Sequence, residues 1–460
     1  MKDYTRYSYW LETSDDDLTP RPALDGSVDV DVAILGAGYT GLWTAYYLLQ
    51  RDPSLKIAIV EKEIAGFGAS GRNGGWCSAG FPLSLSELER RYGRESARAV
   101  QLKMLGAVDE VGLVAEDEGI GIDWEKGGSL RLARGRQELP LIQRAYARYR
   151  ELGLGEHYQL MTKDEADARV RVTGTLGALY TTECATIHPG KLVRGLARVV
   201  ERKGATIYEQ TTVTDYTTGR KPALRTARGD VNAKTLVLAG EAYLSQLPQL
   251  KRQLIPVYSL IVLTEPLTAE QWGQIGWQGR ECVSSNRYVV NYLSKTKDGR
   301  ILFGGRGAPY RIGSKITDEM DRHEETHRML RDMAVEWFPA VRTDQFSHAW
   351  GGPLGMPRDW MPTMSFDRAA GVATARGYTG QGVATTNLSG RVLADLITGR
   401  DSELTLLPMV RHQPRDWEPE PLRYLGIRYI QNAYEKLDRE AEREGRPPTG
   451  KSLAERMSRH

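Results

Sequence analysis

Cysteine is scarce in this chain: Cys77, Cys184 and Cys282 lie far apart, with no C-x-x-C pair. That leaves neither a disulfide framework nor a zinc site and fits a reducing compartment. Long apolar runs are missing as well. No stretch approaches the ~20 residues of a membrane span, and Met1-Lys2-Asp3-Tyr4-Thr5-Arg6 leads into polar, acidic sequence. No membrane span is therefore expected, and the cytoplasm is the expected location. Charge of one sign is absent too. The 62 basic and 59 acidic residues leave a net +3 without a long Lys/Arg block, so nucleic acid is not an expected partner.

One tempting pattern carries no chemistry. His323-Glu324-Glu325-Thr326-His327 matches H-E-x-x-H, the helix-borne zinc motif. Its helix is polar, with Met320, Leu330, Met333 and Trp337 as its apolar residues, and the later His348 and His412 stand in turn-like or irregular sequence. No metal site is expected.

What is present begins at Val30-Asp31-Val32-Ala33-Ile34-Leu35-Gly36-Ala37-Gly38-Tyr39-Thr40-Gly41. A short apolar run, as in a buried parallel strand, enters G-x-G-x-x-G and then a helix from Leu42. The first glycine allows the tight turn, the second lets a pyrophosphate approach the backbone, and the third lets the helix pack on the strand. A second apolar strand, Ile57 to Val60, ends at Glu61, twenty residues beyond Gly41, where a carboxylate meets a ribose. Lys62 follows it. Next comes Gly66-Phe67-Gly68-Ala69-Ser70-Gly71-Arg72-Asn73-Gly74-Gly75-Trp76, longer and richer in glycine than a turn requires. Converging backbone N–H groups and the Arg72 cation suit the second part of a long, doubly phosphorylated cofactor. No second G-x-G-x-x-G follows a strand, so no separate nicotinamide site is expected, and electrons come from the substrate or from a protein.

With 460 residues and 40% hydrophobic content the chain is expected to form two or three domains. Residues 1–27 read as an extended surface arm anchored by Tyr7, Tyr9 and Trp10. Helical periodicity covers Ser84 to Gly119, Glu138 to Glu151, Lys191 to Lys203 and Asp318 to Trp337. Strands are expected at Gly128–Ala133, Leu176–Tyr180, Thr235–Gly240, Tyr258–Leu263 and Arg300–Phe303. The pattern predicts an α/β fold. Val213 is a candidate backbone contact for an adenine ring, and Gly240 closes a strand at the same sheet end. Near the C-terminus, Val372 to Arg376 delivers Gly377-Tyr378-Thr379-Gly380-Gln381-Gly382 to a helix from Val383, whose dipole would stabilise negative charge on a ring carbonyl. Beyond Pro408, Leu422, Leu425, Tyr429, Ile430, Ala433 and Leu437 form one apolar stripe, expected to dock on the body of the protein.

These segments, with Ile187-His188-Pro189, Thr264-Glu265-Pro266-Leu267 and Trp350-Gly351-Gly352, give the chain a resemblance, over nearly its whole length, to the FAD-dependent D-amino-acid oxidase superfamily. It is most similar to the gamma-glutamylputrescine oxidoreductase type within the glycine and sarcosine oxidase group. The resemblance implies a Rossmann-type, glutathione-reductase-like FAD domain discontinuous in sequence, and a mixed β-sheet substrate domain over the flavin. Expected boundaries are 28–88, 185–245 and 345–408 for the FAD domain, 89–184 and 246–344 for the substrate domain, and 409–460 for a helical extension. It also implies oxidation of a carbon–nitrogen bond by hydride transfer to flavin N5, with hydrolysis of the imine. Reoxidation would be by oxygen, giving hydrogen peroxide, or by an electron-acceptor protein. The expected FAD contacts are Gly36, Gly38, Tyr39, Thr40, Gly41, Glu61, Lys62, Gly68, Ala69, Ser70, Arg72, Asn73, Gly74, Gly75, Val213, Gly240, Gly352, Leu354, Gly380, Gln381, Gly382 and Val383. Trp76, Tyr288, Trp350 and Tyr378 are the candidate residues at the reacting centre.

Departures from the family pattern narrow the substrate. Leu354 stands where amino-acid oxidases of this group resemble one another in carrying a carboxylate-clamping arginine, and Ala384 stands where sarcosine oxidases carry a lysine. A small amine is therefore the expected substrate, with Arg72, Arg287 and Arg306 as the cations able to replace the missing clamps. No cysteine lies near Trp360, so the FAD is expected to be non-covalent. The alternatives are a D-amino-acid or N-methyl-amino-acid oxidase or dehydrogenase, a flavin-binding electron-transfer subunit, and an NAD-dependent dehydrogenase using the same fingerprint.

Overall fold

The computed structural model describes residues 2–306 and 309–458, the side chain of Arg306 excepted. One sheet is organised around Val28–Leu35. This strand pairs in parallel with Ile57–Val60 on one side and Gly229–Leu238 on the other, and Thr206–Tyr208 and Val372–Arg376 extend the parallel order outward. Thr363–Asp367 closes one edge antiparallel. Val32, Ala33 and Ile34 are all buried, which explains a run with no polar alternation: helices cover one face, and the hairpin Val213–Thr217/Ala223–Thr226 with short 3-10 turns covers the other. The registers align Leu35 with Val60 and with Leu238, so the strands end level and leave a crevice at their carboxyl ends.

The second sheet has the order Phe346–Met356, Ile255–Thr264, Ile301–Arg306, Asn291–Lys295, Cys282–Ser284, Ser129–Arg134, Thr175–Thr181, Tyr158–Thr162. Neighbours are antiparallel except Cys282–Ser284 with Ser129–Arg134, so the sheet is mixed. Its two faces follow from alternation along Ile255–Thr264. Leu260 and Val262 pack under the helix Glu324–Trp337 with Phe303 and Trp337, whereas Ser259 points to the opposite side with Tyr292. The strand Phe346–Met356 is an edge of this second sheet, and the chain rejoins the first sheet at Thr363.

Several elements differ from the pattern reading. The helical stretch after Ser84 is two helices, Leu85–Tyr92 and Arg94–Asp117, separated at Gly93, whose φ of 84° lies in the left-handed region. The helix expected from Asp318 starts at Glu324, because His323 before it is extended. The N-terminal arm is not simply extended: it contains the short helices Tyr4–Tyr7 and Tyr9–Glu12, with Tyr4, Trp10 and Leu11 buried. Leu422, Leu425 and Tyr429 of the helix Leu422–Glu444 remain exposed, and its docking runs through other residues. No described helix is long and apolar enough to cross a membrane.

The helices Tyr39–Arg51 and Gly382–Thr398, which begin at the two glycine turns, cross at Gly390. A Cβ there would stand 2.7 Å from the backbone carbonyl carbon of Trp43. Gly390→Val is expected to destabilise the fold by roughly 1–3 kcal/mol through overpacking against backbone. The guanidinium midpoint should fall; an unchanged or higher midpoint means the helices can separate without cost.

Candidate active site

A cavity of about 810 Å³ opens at the carboxyl ends of the first sheet and is closed from the other side by the second. Its floor is the first glycine turn. Gly36 has φ 103°, and a Cβ on it would approach the Ala239 carbonyl oxygen to 2.9 Å. Gly38 caps the helix Tyr39–Arg51 and lies against Ser70, whose hydroxyl accepts the Tyr39 N–H at 2.9 Å. A helix N-terminus capped by glycine, with only the small Ser70 hydroxyl beside it, suits a pyrophosphate. Glu61 accepts N–H bonds from Ala37 (2.9 Å) and Glu63 (3.0 Å). Each of its oxygens keeps a further lone pair for ribose hydroxyls. Burial pushes its carboxyl up to about 6, against those two N–H bonds.

The second glycine loop wraps the adjoining wall. Asn73 holds it in shape, donating to the Ala69 and Ser70 carbonyls and accepting from Gly75 N–H. Arg72 donates to Asp321 Oδ2 at 2.5 Å, to the Gly351 carbonyl at 3.1 Å and to the Tyr243 hydroxyl at 2.8 Å. Burial works against the guanidinium charge, but Tyr243 and Asp321 outweigh it and Arg72 is raised. Asp321 itself is raised above the usual carboxylate range, because its burial outweighs the pull of Arg72. Its second oxygen is buried without a partner.

The third wall is the turn before Gly382–Thr398. Glu241, the residue after Gly240, accepts from Gly377 N–H at 2.8 Å and Tyr378 N–H at 3.3 Å. Burial pushes its carboxyl up to about 7, with those N–H groups and that of Gly355 acting in the opposite direction. Tyr378 and Thr40 share a hydroxyl hydrogen bond of 2.9 Å, which ties the two glycine turns together. From the second sheet come Tyr292 and Ser259, hydrogen-bonded at 2.9 Å, and the Tyr292 ring stands edge-on to Trp76 at 6.4 Å. The Trp76 indole N–H donates to the Leu293 carbonyl, which fixes that ring.

The cavity wall contains Gly36, Gly38, Tyr39, Thr40, Glu61, Lys62, Gly68, Ala69, Ser70, Arg72, Asn73, Gly74, Trp76, Val213, Gly240, Gly352, Leu354, Tyr378, Gly380, Gln381, Gly382 and Val383. Four expected residues lie outside it. Gly41 is a packing glycine, since a Cβ on it would come within 2.1 Å of the Gly36 carbonyl oxygen. Gly75, with φ 74°, faces the Ile187 carbonyl. Trp350 is buried against Trp10 and donates its indole N–H to the Arg72 carbonyl at 3.0 Å, so it supports the loop from behind. Tyr288 is drawn away by the C-terminal extension, stacked on Tyr434 with its hydroxyl on Glu455.

Sequence reasoning missed Glu241, Tyr243, Asp321, Ser259 and Tyr292, all in the wall. For Glu241 and Tyr243 the signal was available: they directly follow the strand end that pointed to Gly240. His323 and His327 of the H-E-x-x-H stretch do other work, bonding Thr326 Oγ1 and the Trp350 carbonyl.

The wall fits FAD: a glycine-capped helix N-terminus for the pyrophosphate, Glu61 for the ribose, and no cysteine among the described lining residues. Glu61→Ala should weaken FAD binding by roughly tenfold to a hundredfold, the worth of a charge-assisted hydrogen bond. Titration of apoprotein with FAD measures it, and an unchanged affinity removes Glu61 from the ribose site. Glu241 gives a pH signature. Its folded value of about 7 lies above the ordinary 4.5, so the stability it contributes is complete below 4.5 and is lost as pH rises through 7. Glu241→Gln should flatten that part of the apoprotein's urea midpoint between pH 5 and 8. Parallel wild-type and variant curves refute the burial argument.

A family model described as FAD dependent oxidoreductase matches residues 31–396. The probable oxidoreductase OrdL of Rhizobium meliloti is 32% identical over 410 residues, covering 87% of this chain and 91% of that protein. Gamma-glutamylputrescine oxidoreductase of Escherichia coli is 27% identical, covering 88% and 92%. The crystal structure of glycine oxidase from Geobacillus kaustophilus superposes with a TM-score of 0.67 at 25% identity, over 84% of this chain and 99% of that one. With the fingerprint, the acid after the second strand and the second glycine loop assembled on one cavity, this chain belongs to the family of FAD-dependent oxidoreductases that includes the D-amino-acid oxidases.

Proposed function

We propose that the protein oxidises the carbon–nitrogen bond of a small amine, giving an imine that water hydrolyses to an aldehyde plus an amine or ammonia, with reoxidation by oxygen or by an electron-acceptor protein. FAD, when bound, supplies the hydride acceptor. The observation that carries the choice of an amine is the charge inventory of the wall. Among the described lining residues the cations are Lys62 and Arg72, against the carboxylates Glu61, Glu63, Glu241, Asp318 and Asp321. Lys62 directly follows the ribose-site carboxylate, and Arg72 is already bonded to Asp321, Tyr243 and Gly351.

Neither family clamp position offers a replacement: Leu354 lines the wall and Ala384 is buried. Arg287 is paired with Glu442 of the C-terminal extension, and the side chain of Arg306 lies outside the described residues. A carboxylate adjacent to the reacting carbon would thus enter without a cation to clamp it. The aromatic faces of Trp76, Tyr292 and Tyr378 provide a surface that orients an amine and excludes water from it. A gamma-glutamylated amine suits the same reading, given the likeness to the Escherichia coli enzyme of that name.

The test mixes oxidised enzyme anaerobically with two panels: D- and N-methyl amino acids, and primary or secondary amines including gamma-glutamyl ones. Flavin bleaching by amines is expected. An uncompensated carboxylate costs about 4 kcal/mol, so plain amino acids should bind roughly a thousandfold more weakly. Rapid bleaching by an amino acid with none by any amine establishes an amino-acid oxidase instead. No bleaching by either panel, with FAD retained, favours an electron-transfer subunit.

A further inference from the structure

The C-terminal extension lies beyond residue 396, where the family match ends, yet it reaches the edge of the cavity. The segment between the strands Cys282–Ser284 and Asn291–Lys295 is irregular, and the residues that flank it, Ser284 on one side and Val290 and Tyr292 on the other, line the cavity. Its backbone N–H groups have no ladder partner at Tyr288 and Val289. Both are taken by one carboxylate of the extension: Asp438 accepts Tyr288 N–H at 3.0 Å through Oδ1 and Val289 N–H at 2.9 Å through Oδ2. Around that bidentate contact Tyr288 stacks on Tyr434 at 4.5 Å and bonds Glu455, and Arg287 pairs with Glu442. Each of these contacts joins the extension to the same three residues, Arg287 to Val289.

We infer that the C-terminal extension is a working part of the substrate pocket, with Asp438 as a positioning residue that fixes the Tyr288–Tyr292 segment and so sets the wall against which the amine is held. The physical argument is one of backbone accounting. A segment held by no ladder samples many conformations unless fixed acceptors meet its N–H groups: Glu138 takes that of Asn286 at 3.1 Å, and at Tyr288 and Val289 the acceptor is a carboxylate receiving two N–H bonds, a strong one. The wall residues lie one and three positions beyond Val289, too close to move independently of it. Because these contacts come from outside the family-matched residues, the extension is a determinant of which amine fits. The inference rests on the second-sheet end of the cavity being where the amine sits.

Two measurements on the FAD-loaded full chain test it. In Asp438→Ala, hydrogen exchange at the Tyr288 and Val289 amides should accelerate roughly tenfold or more, and the acceleration should spread to Val290 and Tyr292, with FAD content unchanged. Asp438→Glu, which keeps a bidentate acceptor, should restore slow exchange. In stopped-flow flavin reduction by an amine that bleaches the wild type, Asp438→Ala should raise the apparent Kd by roughly fivefold or more while changing the limiting rate less, the mark of a displaced binding wall. Tyr288→Phe, which removes the hydroxyl that bonds Glu455 and keeps the backbone bonds to Asp438, is a milder variant expected to move the Kd in the same direction. Fast exchange confined to Tyr288 and Val289, or an unchanged Kd in Asp438→Ala, overturns the inference. If no amine bleaches the wild type, the functional proposal fails by itself, and the spread of exchange to Val290 and Tyr292 alone decides the role of the extension.

Discussion

The active-site architecture depends on one buried cation. Arg72 is carried by the glycine loop that follows the first βαβ unit, and it is bonded to Asp321 and the Gly351 carbonyl, which belong to the second-sheet half of the molecule. A guanidinium with almost no exposed surface would be prohibitively costly alone, so its position is set by where its acceptors stand. Removing one member of such a pair leaves an uncompensated charge at a cost of about 3–5 kcal/mol. The loop is therefore held to the second sheet, and the cavity between the two sheets has a definite width. The same bonds leave Arg72, although it lines the cavity, engaged with Asp321, Tyr243 and Gly351.

Pieces at the two chain ends complete this frame. Between regular elements the glycine loop has carbonyl groups without ladder partners, and the N-terminal arm supplies donors to them: Ser8 to the Gly71 carbonyl and the Trp10 indole to Asn73, each at 2.7 Å. Tyr4 and Lys2 bond Glu63 from the first-sheet side, and Tyr7 bonds Asp318 from the other. The arm thus spans both halves at the rim of the cavity. Tyr7 and Trp10, expected as anchors with Tyr9, do so through their polar ends, which bond the Asp318 carboxylate and the Asn73 carbonyl of the site.

The legible parts of the site are those whose chemistry is local in sequence. Gly36 and Gly38 need a tight turn and an open helix end, and Glu61 needs only to follow the second strand, so spacing suffices to find them. Residues contributed across the molecule were not legible. Asp321 lies in a short 3-10 turn with no pattern of its own, and its role comes from Arg72, 249 positions away. Tyr292 is one aromatic among many strand aromatics until pairing places it beside Ser259. Tyr288 and Trp350 carried plausible aromatic signals, yet side-chain direction decided against them: one is captured by the extension and the other turned toward Trp10. The domain-level α/β reading survived such errors because the βαβ unit and the alternating strands are encoded many times over, whereas each pocket residue is encoded once.

The electrostatics of the wall bear on how an amine reacts there. Loss of hydride from a carbon beside nitrogen requires the neutral amine, since an ammonium has no lone pair to offer. A wall rich in free carboxylates would hold the amine protonated and oppose the reaction. Here the carboxylates are internally engaged: Asp321 by Arg72, Glu241 by the Gly377 and Tyr378 N–H groups, Glu63 by Lys2 and Tyr4, and Asp318 by Tyr7. Their negative charge is thereby partly met before any ligand enters. On the proposed amine-oxidising function, the wall gains selectivity against a carboxylate beside the reacting carbon because Arg72 is already bonded and Lys62 follows the ribose-side Glu61, and its engaged carboxylates avoid trapping the amine as an ammonium. Both properties come from the same arrangement, in which Arg72 and the carboxylates beside it are bonded to each other, to hydroxyls or to backbone and the surface left for the substrate is aromatic.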